Sequence, residues 1–351
     1  MSNSLESVAG IKALSHNQLV DLFNSLEQPS FRVSQLESWI YSKHVSSYDE
    51  MTNLPKSLRN SLSRDYPLYV PKITEKSRSK DGTTKYLIEY SDGTMVETVG
   101  IPSGNRLTVC FSTQAGCRMA CAFCATGRNG FTRNLAPGEI YDQVALVSED
   151  YCQRVTNVVG MGQGEPFLNY DSVLAAARFM NSPNGADIGA RHITISTSGI
   201  IPKIYKFARE PEQFTLAVSL HSAIQASRDK LMPKVSNYDL KKLRIALESY
   251  SKSTNRRPTL EYSMIDGIND SDEDLNALID FCNGLLVHVN LIPLNQVEGS
   301  DFRPSSNKRI RLFSERLNAN GIETSVRKSR GADIQGACGQ LMQRHVRHNN
   351  V

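Results

Sequence analysis

Apolar side chains between residues 12 and 64 recur at helical spacing, with Leu19, Leu22 and Phe23 followed by Val33, Leu36, Trp39 and Ile40. That period predicts a small helical accessory unit, with residues 1–70 as its bounds. The pattern then turns to short alternating runs. TTKYLIEY and TMVETVGIP flank Ser91-Asp92-Gly93, and Asp-Gly favours a tight turn, so residues 71–105 are predicted as a β-hairpin linker. From residue 106 onward six strand-like runs, RLTVCFST, TNVVGMG, RHITIST, FTLAVSLH, PTLEYSMI and HVNLIPLN, are separated by stretches long enough for helices. Repeated strand–helix units build a parallel sheet with right-handed crossovers. The expected fold class is therefore α/β, a partial (β/α)6 barrel over residues 106–345 whose C-terminal tail carries Cys338.

Folds of this kind place their chemistry at the carboxyl ends of the strands. Cys117-Arg-Met-Ala-Cys121-Ala-Phe-Cys124 follows the first barrel strand directly. Composition sharpens what those thiols mean. The 351 residues, 40% of them hydrophobic, are enough to bury a substantial core. Seven cysteines is an odd number, three fall within eight residues, and the start MSNSLESVAG has no charged-then-apolar layout of an export signal. Paired structural disulfides explain this poorly; metal or redox chemistry explains it better. No run of about 18 apolar residues occurs, so a cytoplasmic protein with no membrane partner is expected. The net charge of +4 permits a nucleic-acid partner without requiring one.

Three cysteine ligands on a 4Fe-4S cluster leave one iron open for a substrate or cofactor, unlike four-cysteine electron-transfer sites. Cys117, Cys121 and Cys124 are accordingly the candidate metal ligands. Structural zinc is the competing explanation, but it calls for a fourth Cys or His nearby, and none follows Cys124. The other strand ends are polar. Met161-Gly162-Gln163-Gly164-Glu165-Pro166 closes the second strand, where glycines admit a close ligand and Glu165 can accept from an amine or hydroxyl. Ser196 ends the third strand, Ser219 and His221 the fourth, and Asn295 the sixth. Polar groups ending successive apolar strands suggest a ligand-binding mouth rather than core packing.

Cys110 alternates with Thr108 and Ser112, which places it toward the barrel interior. Cys338 lies in the glycine-rich SRGADIQGACGQL, where Gly336 and Gly339 suit a thiol that must move. Taken alone, either thiol is by default a buried, inert one, as are Cys152 and Cys282 in predicted helices. Glu97 in MVETVGIP reads by itself as a solvent-facing strand residue.

Taken together, VETVGIP, VCFSTQAGCRMACAFCATGRNGFTRNL, MGQGEP, ISTSGIIP, VSLH, NLIPLN and RKSRGADIQGACGQL resemble the RlmN/Cfr radical S-adenosylmethionine methyltransferases. The resemblance covers nearly the whole chain. It implies one 4Fe-4S cluster on Cys117, Cys121 and Cys124, and S-adenosyl-L-methionine, two per turnover, held by Gly164, Glu165, Ser196, Ser219, Leu220, His221 and Asn295. It further implies that Cys338 is methylated by one cofactor molecule. A second is cleaved to a 5'-deoxyadenosyl radical that takes a hydrogen from that methyl, and the resulting carbon radical adds to adenine. Cys110 matches the cysteine that closes the cycle through a transient disulfide with Cys338, and Glu97 matches a proton acceptor. A radical route is chemically sensible, because a ring carbon of adenine is no nucleophile toward a sulfonium methyl. One departure stands out: the family pattern is usually Met-Gly-Met-Gly-Glu-Pro, and here Gln163 replaces the second methionine.

The resemblance implies 23S rRNA as partner, methylated on C2 of adenosine 2503, with tRNA adenosine 37 as a further substrate. It also implies an external electron donor such as flavodoxin or ferredoxin, and a monomer is expected. The RKSRGADI tail is similar to the C2-modifying branch, whereas SLHSAIQASRDKLMP has a flavour of the branch that modifies C8 of the same rRNA adenosine. Loops expose bases that a protein can splay out, whereas duplex RNA offers little base access. The basic runs at 76–80, 255–257, 307–311 and 344–348 are candidates to track phosphates. A protein of another class, a non-catalytic iron–sulfur or zinc protein that binds RNA, would have no need of Glu165, Asn295 or Cys338.

Overall fold

The computed structural model describes residues 8–128 and 130–342. The helical N-terminal part consists of His16–Ser25, Phe31–Glu37, which runs on into a π turn over Ser38–Ser42, and Lys56–Asp65. Ser15 starts the first helix with a capping box, its hydroxyl accepting from the Gln18 N–H while the Gln18 side chain accepts from the Ser15 N–H. These helices share one continuous core with the barrel. Tyr41 stacks on Phe179 at 4.1 Å and meets Tyr141 edge-on at 4.9 Å.

The linker differs from the predicted hairpin. It is a three-stranded antiparallel meander of β1 (Lys72–Arg78), β2 (Thr84–Glu89) and β3 (Met95–Ser103). β1, KITEKSR, is an exposed edge strand, so it has no apolar alternation to announce it.

β4 (Arg106–Cys110) pairs antiparallel with β3 and opens the barrel. β5 (Gln114–Gly116) and β6 (Phe131–Asn134) form a separate two-stranded sheet. The barrel continues with β7 (Asn157–Gly160), β8 (Ile193–Thr197), β9 (Thr215–Ser219), β10 (Thr259–Met264) and β11 (His288–Pro293). A seventh parallel strand, β12 (Thr324–Val326), lies at the far edge; its three largely exposed residues gave no sequence signal. The order β1-β2-β3-β4-β7-β8-β9-β10-β11-β12 is that of an open barrel built by successive parallel neighbours.

The helices Pro137–Tyr151, Tyr170–Asn181, Leu240–Thr254, Asp272–Cys282 and Asn307–Ala319 supply much of the buried apolar surface that covers the strands. The antiparallel step from β3 to β4 matters most for the site. Val99 sits opposite Cys110, so Glu97 lies two residues beyond Cys110 toward the carboxyl end of β4, on the same face. The Ser112 hydroxyl fixes that overlap by donating to the Glu97 carbonyl at 2.6 Å. No helix among the described residues is long and apolar enough to cross a membrane.

Candidate active site

The cysteine loop hangs between β5 and β6. A Cβ at Gly116, which has φ +76°, would lie 2.2 Å from the Gly130 carbonyl, and the Cys117 N–H donates to that same carbonyl at 2.7 Å. A glycine is required there for the loop to close. The Met119 N–H donates to the Cys117 Sγ at 3.5 Å, and the Ala122 N–H ties the loop to the Leu231 carbonyl. Cys117, Cys121 and Cys124 are all free thiols facing one cavity. Burial pushes the Cys117 thiol up to about 12 and raises the Cys121 thiol well above its ordinary range, each reinforced by the neighbouring thiols. Thiols so placed stay protonated unless a metal centre stabilises their anions.

Across the cavity, Gly162 and Gly164 bring the second strand's loop against Phe111 to Gln114. A Cβ on Gly162 would stand 2.6 Å from the Phe111 carbonyl, and one on Gly164 2.6 Å from Gln114 Cβ. Glu165 is buried, and its carboxylate accepts from the Phe167 N–H at 3.0 Å and the Ser198 N–H at 2.7 Å. It thereby staples the β7 and β8 loops together, while burial holds its carboxyl above the usual range.

Ser196, Ser219, His221 and Asn295 line the same cavity. His221 sits in a left-handed turn, φ +54°, and its Nδ1 accepts from the Ser263 N–H at 3.0 Å. Burial, with Arg228 nearby, lowers its pKa to about 3, so the ring is neutral and Nε2 carries the proton. The Leu220 side chain belongs to the main core, between Ser219 and His221 on the cavity wall, and its N–H donates to the Glu261 carbonyl at 3.0 Å. Its carbonyl accepts from the Ser222 N–H at 2.7 Å.

The tail closes the mouth. The Ala125 N–H donates to the Gly339 carbonyl at 2.8 Å, the Thr126 hydroxyl to Leu341 at 2.7 Å, and the Asn295 amide to the Cys338 carbonyl at 3.2 Å. Cys338 stands on the wall between two spaces, the cavity of the three thiols and a second one lined by Cys110, Met161 and Arg327. Both Cys110 and Cys338 are free thiols here. Glu97, expected from its own strand to face solvent, is instead 4% exposed. Its carboxylate pairs with Lys85 Nζ at 2.9 Å and accepts from the Met342 N–H of the tail at 2.5 Å.

Among the described residues, no three Cys, His, Asp or Glu side chains converge tightly enough to hold a single metal ion. A zinc ion draws its thiolates to one point at about 2.3 Å. Three thiols on one loop facing one cavity fit a 4Fe-4S cluster with an open iron.

A parallel open barrel whose carboxyl-end mouth holds a three-cysteine loop defines a radical S-adenosylmethionine protein, and residues 111–282 match the family model described as the radical SAM superfamily. That family implies an iron–sulfur cluster and S-adenosylmethionine. Residues 10–66 match the ribosomal RNA large subunit methyltransferase N-terminal domain. The chain is 42% identical to the probable dual-specificity RNA methyltransferase RlmN of Clostridium novyi, across 95% of this chain and 97% of that protein. It is 44% identical to the protein of the same name from Acaryochloris marina, across 96% and 95%. A crystal structure of a radical SAM methyltransferase from Sphaerobacter thermophilus superposes with a TM-score of 0.88 at 42% identity, covering 95% of this chain and 99% of that one. The chain belongs to this RlmN-type family of radical S-adenosylmethionine methyltransferases.

Several site groups escaped the sequence patterns. Glu261 is buried on β10 beside the cavity and accepts from the Asn290 amide at 2.8 Å; a lone carboxylate inside the apolar run PTLEYSMI was its signal. Arg228 is fully buried, donates to the Ser198 carbonyl at 2.7 Å and lies close enough to Cys121 to oppose the rise of that thiol's pKa. Arg327 follows β12 and lines the same cavity. Four of the eight cations in the three described basic runs are ion-paired: Lys76 with Asp150, Arg257 with Glu323, Arg309 with Asp272 and Arg311 with Glu315. The run at 344–348 lies outside the described residues.

Proposed function

We propose that this protein methylates an adenine of RNA at C2, using Cys338 as the methyl carrier, with 23S rRNA and tRNA as substrates. The single observation that carries this reading is the position of Cys338, on the wall shared by the three-thiol cavity and the space that holds Cys110. A carrier must face both the methyl donor and the partner that later releases it, and no other cysteine borders both spaces.

Cys117, Cys121 and Cys124 would hold the cluster, with Glu165, Ser196, Ser219, His221 and Asn295 placed to hold S-adenosylmethionine. When bound, these groups supply a methyl cation equivalent and, on one-electron reduction by a small carrier such as flavodoxin or ferredoxin, an alkyl radical able to abstract hydrogen. The remaining work belongs to the chain. Cys338, its proton given up to solvent, would take the methyl on its sulfur, the electron pair of the broken S–CH3 bond staying on the donor. Neutral His221 donates through Nε2–H without bringing a charge, and Glu165 keeps the β7 and β8 loops at fixed spacing. Once the methyl carried by Cys338 has lost a hydrogen atom and its carbon has joined the adenine ring, the adduct would return one electron to the bound cluster, and Glu97 would accept the ring proton. Cys110, as its anion, would then attack the Cys338 sulfur, breaking the S–C bond with its electron pair left on the carbon, which takes a proton to become the product methyl as the Cys110–Cys338 disulfide forms. The tail joins these steps, since the Met342 N–H donates to Glu97 only four residues beyond Cys338.

The test is mass spectrometry of rRNA and tRNA after incubation with the reconstituted protein, S-adenosylmethionine and a reductant. A methyl on adenine C2 that disappears in Cys338→Ala is expected. A methyl on C8 overturns the regiochemistry, and methylation that survives Cys338→Ala overturns the carrier.

A further inference from the structure

Cys338 sits on a built turn rather than a loose tail. The Gln340 N–H donates to the Ala337 carbonyl at 3.0 Å, closing a four-residue turn in which Cys338 is second and Gly339, at φ +83°, is third. A left-handed third residue is what a type II turn asks of glycine. The Gln340 side chain is buried and braces this turn: its Oε1 accepts from the Ala337 N–H at 3.2 Å, and its Nε2 donates to the Gln296 carbonyl at 2.8 Å. The turn is thereby tied to the loop after β11. A second fastening lies upstream, where the tail meets the turn between β1 and β2. One Asp81 oxygen accepts from the Thr83 N–H at 2.9 Å and the other from the Gly331 N–H at 3.2 Å, while Asp333 accepts from the Lys80 N–H at 3.4 Å. Gly331 has φ +65°, and a Cβ there would lie 2.8 Å from Thr83 Cγ2, so the close approach requires glycine. The Gly336 N–H donates back to the Gly331 carbonyl at 2.8 Å, which carries this clasp up to the start of the Cys338 turn.

We propose that Gln340 and Asp81 are positioning residues that present the Cys338 sulfur on a preformed turn, so that it serves both spaces it borders without release of the tail. This inference rests on the proposed role of Cys338 as carrier. Gln340 and Asp81 line neither space, so they act through the backbone that carries the sulfur and not on the reacting atoms. Cys338 already borders both spaces, and a change of its side-chain rotamer is enough to turn the sulfur from one to the other. A fixed backbone keeps each approach close to the reactive geometry, whereas a misplacement of about 1 Å costs a reaction about a hundredfold. The residue types match the task. Glutamine offers one acceptor and one donor and uses both; aspartate offers two acceptors and uses both.

The test follows two quantities in the reconstituted full chain. One is amide hydrogen exchange of the tail, read by mass spectrometry without S-adenosylmethionine or RNA. The other is the first-order rate at which Cys338 gains labelled methyl, over a range of S-adenosylmethionine concentrations. Gln340→Met keeps the length of the side chain and loses both of its hydrogen bonds. It should speed exchange across residues 331–341 by about fivefold or more. The limiting rate of methyl labelling should fall by about ten- to a hundredfold, with the half-saturating S-adenosylmethionine concentration unchanged. Asp81→Asn keeps an oxygen for Thr83 but turns an amide donor toward a neighbouring N–H, and should give the same pair of changes at smaller size. If one variant fails to fold, the other decides. Adding S-adenosylmethionine to the wild type should leave residues 331–336 protected; faster exchange there would mean that the whole tail lets go, which overturns the inference. So does unchanged exchange in the folded variants, or faster exchange with an unchanged labelling rate. No methyl on wild-type Cys338 would instead sink the carrier reading, a failure that exchange measured without the methyl donor keeps apart from failure of the fastenings.

Discussion

Lys12–Asp142 and Lys85–Glu97 are the same chemistry placed in two regions. Lys12 Nζ sits 2.7 Å and 3.0 Å from the two Asp142 oxygens, where the N-terminal segment meets the helix Pro137–Tyr151. Gly138 makes the approach possible, since a Cβ there would lie 2.4 Å from Lys12 Cβ. Both carboxylate oxygens are committed to one cation, and the pair is closed. At the barrel mouth, Lys85 Nζ meets one Glu97 oxygen at 2.9 Å while the other accepts from the tail, and the pair lines a cleft with Ser77 and Gln335. A closed pair can only hold two parts together. An open pair can hold a tail and still exchange a proton.

The largest effect should come from the open pair. Glu97→Gln is expected to lower the yield of methylated RNA by about 10²–10⁴-fold, the span of general base catalysis. Labelled methyl should still accumulate on Cys338. Equal loss of both would make Glu97 a structural residue like Asp142 and dissolve the contrast.

The closed pair should answer in stability. Lys12→Met strands a buried carboxylate and should cost about 3–5 kcal/mol in urea unfolding, with turnover per folded molecule unchanged. Burial holds Asp142 above the usual carboxylate range even with Lys12 beside it. A carboxyl raised in the folded state favours the fold where it is protonated, and that contribution is lost as pH climbs through its folded pKa. Lys12→Met/Asp142→Leu should therefore recover the loss, and its advantage over wild type should be greater at pH 7 than at pH 4. An advantage that shrinks with rising pH would contradict this assignment.

Lys85→Met comes next. Without its cation a carboxylate keeps its proton to higher pH, so the acid limb of the methylation profile should move upward. On the acid side the rate should fall by about tenfold, the worth of one unit. Lys85→Arg should restore the limb, and the unfolding midpoint should fall less than in Lys12→Met because the cleft readmits water. A loss of stability equal to that of Lys12→Met, with no change in the limb, would show that the open pair is closed after all.

How much of this was legible depended on whether function left a pattern in the chain. Strands β4 and β7–β11 announced themselves through apolar runs, and the three-cysteine loop and the polar strand ends fell where such a barrel needs them. β1 and β12 were missed because edge strands that bury little carry no periodicity. Leu220 was placed at the cofactor by resemblance, while alternation within VSLH turns its side chain into the core. Glu97, Arg327 and Glu261 were hidden for a common reason. Each is a charged residue whose partners lie on other elements, and pairing across elements is a property of register, which local sequence does not contain. Only the resemblance directed attention to Glu97.

The smallest expected effect tests the departure at Gln163. Its side chain is buried and its Oε1 accepts from the Glu97 N–H at 3.2 Å, while its backbone is held by Thr113 and Ser112. Gln163 thus straps β3 to the glycine loop at the residue that carries the proposed base, a fastening that a methionine thioether would make weakly at best. Gln163→Met should leave that N–H short of an acceptor and lower stability by about 1 kcal/mol. The effect on turnover should be about threefold or less, because Lys85 and Met342 still aim the carboxylate. A small loss confined to the Glu97-dependent step, with Cys338 methylation untouched, would locate the strap at the open pair. A loss confined to S-adenosylmethionine binding would place Gln163 with the cofactor loop alone, and Glu97 would then owe its position to Lys85, Met342 and the Ser112 hydroxyl.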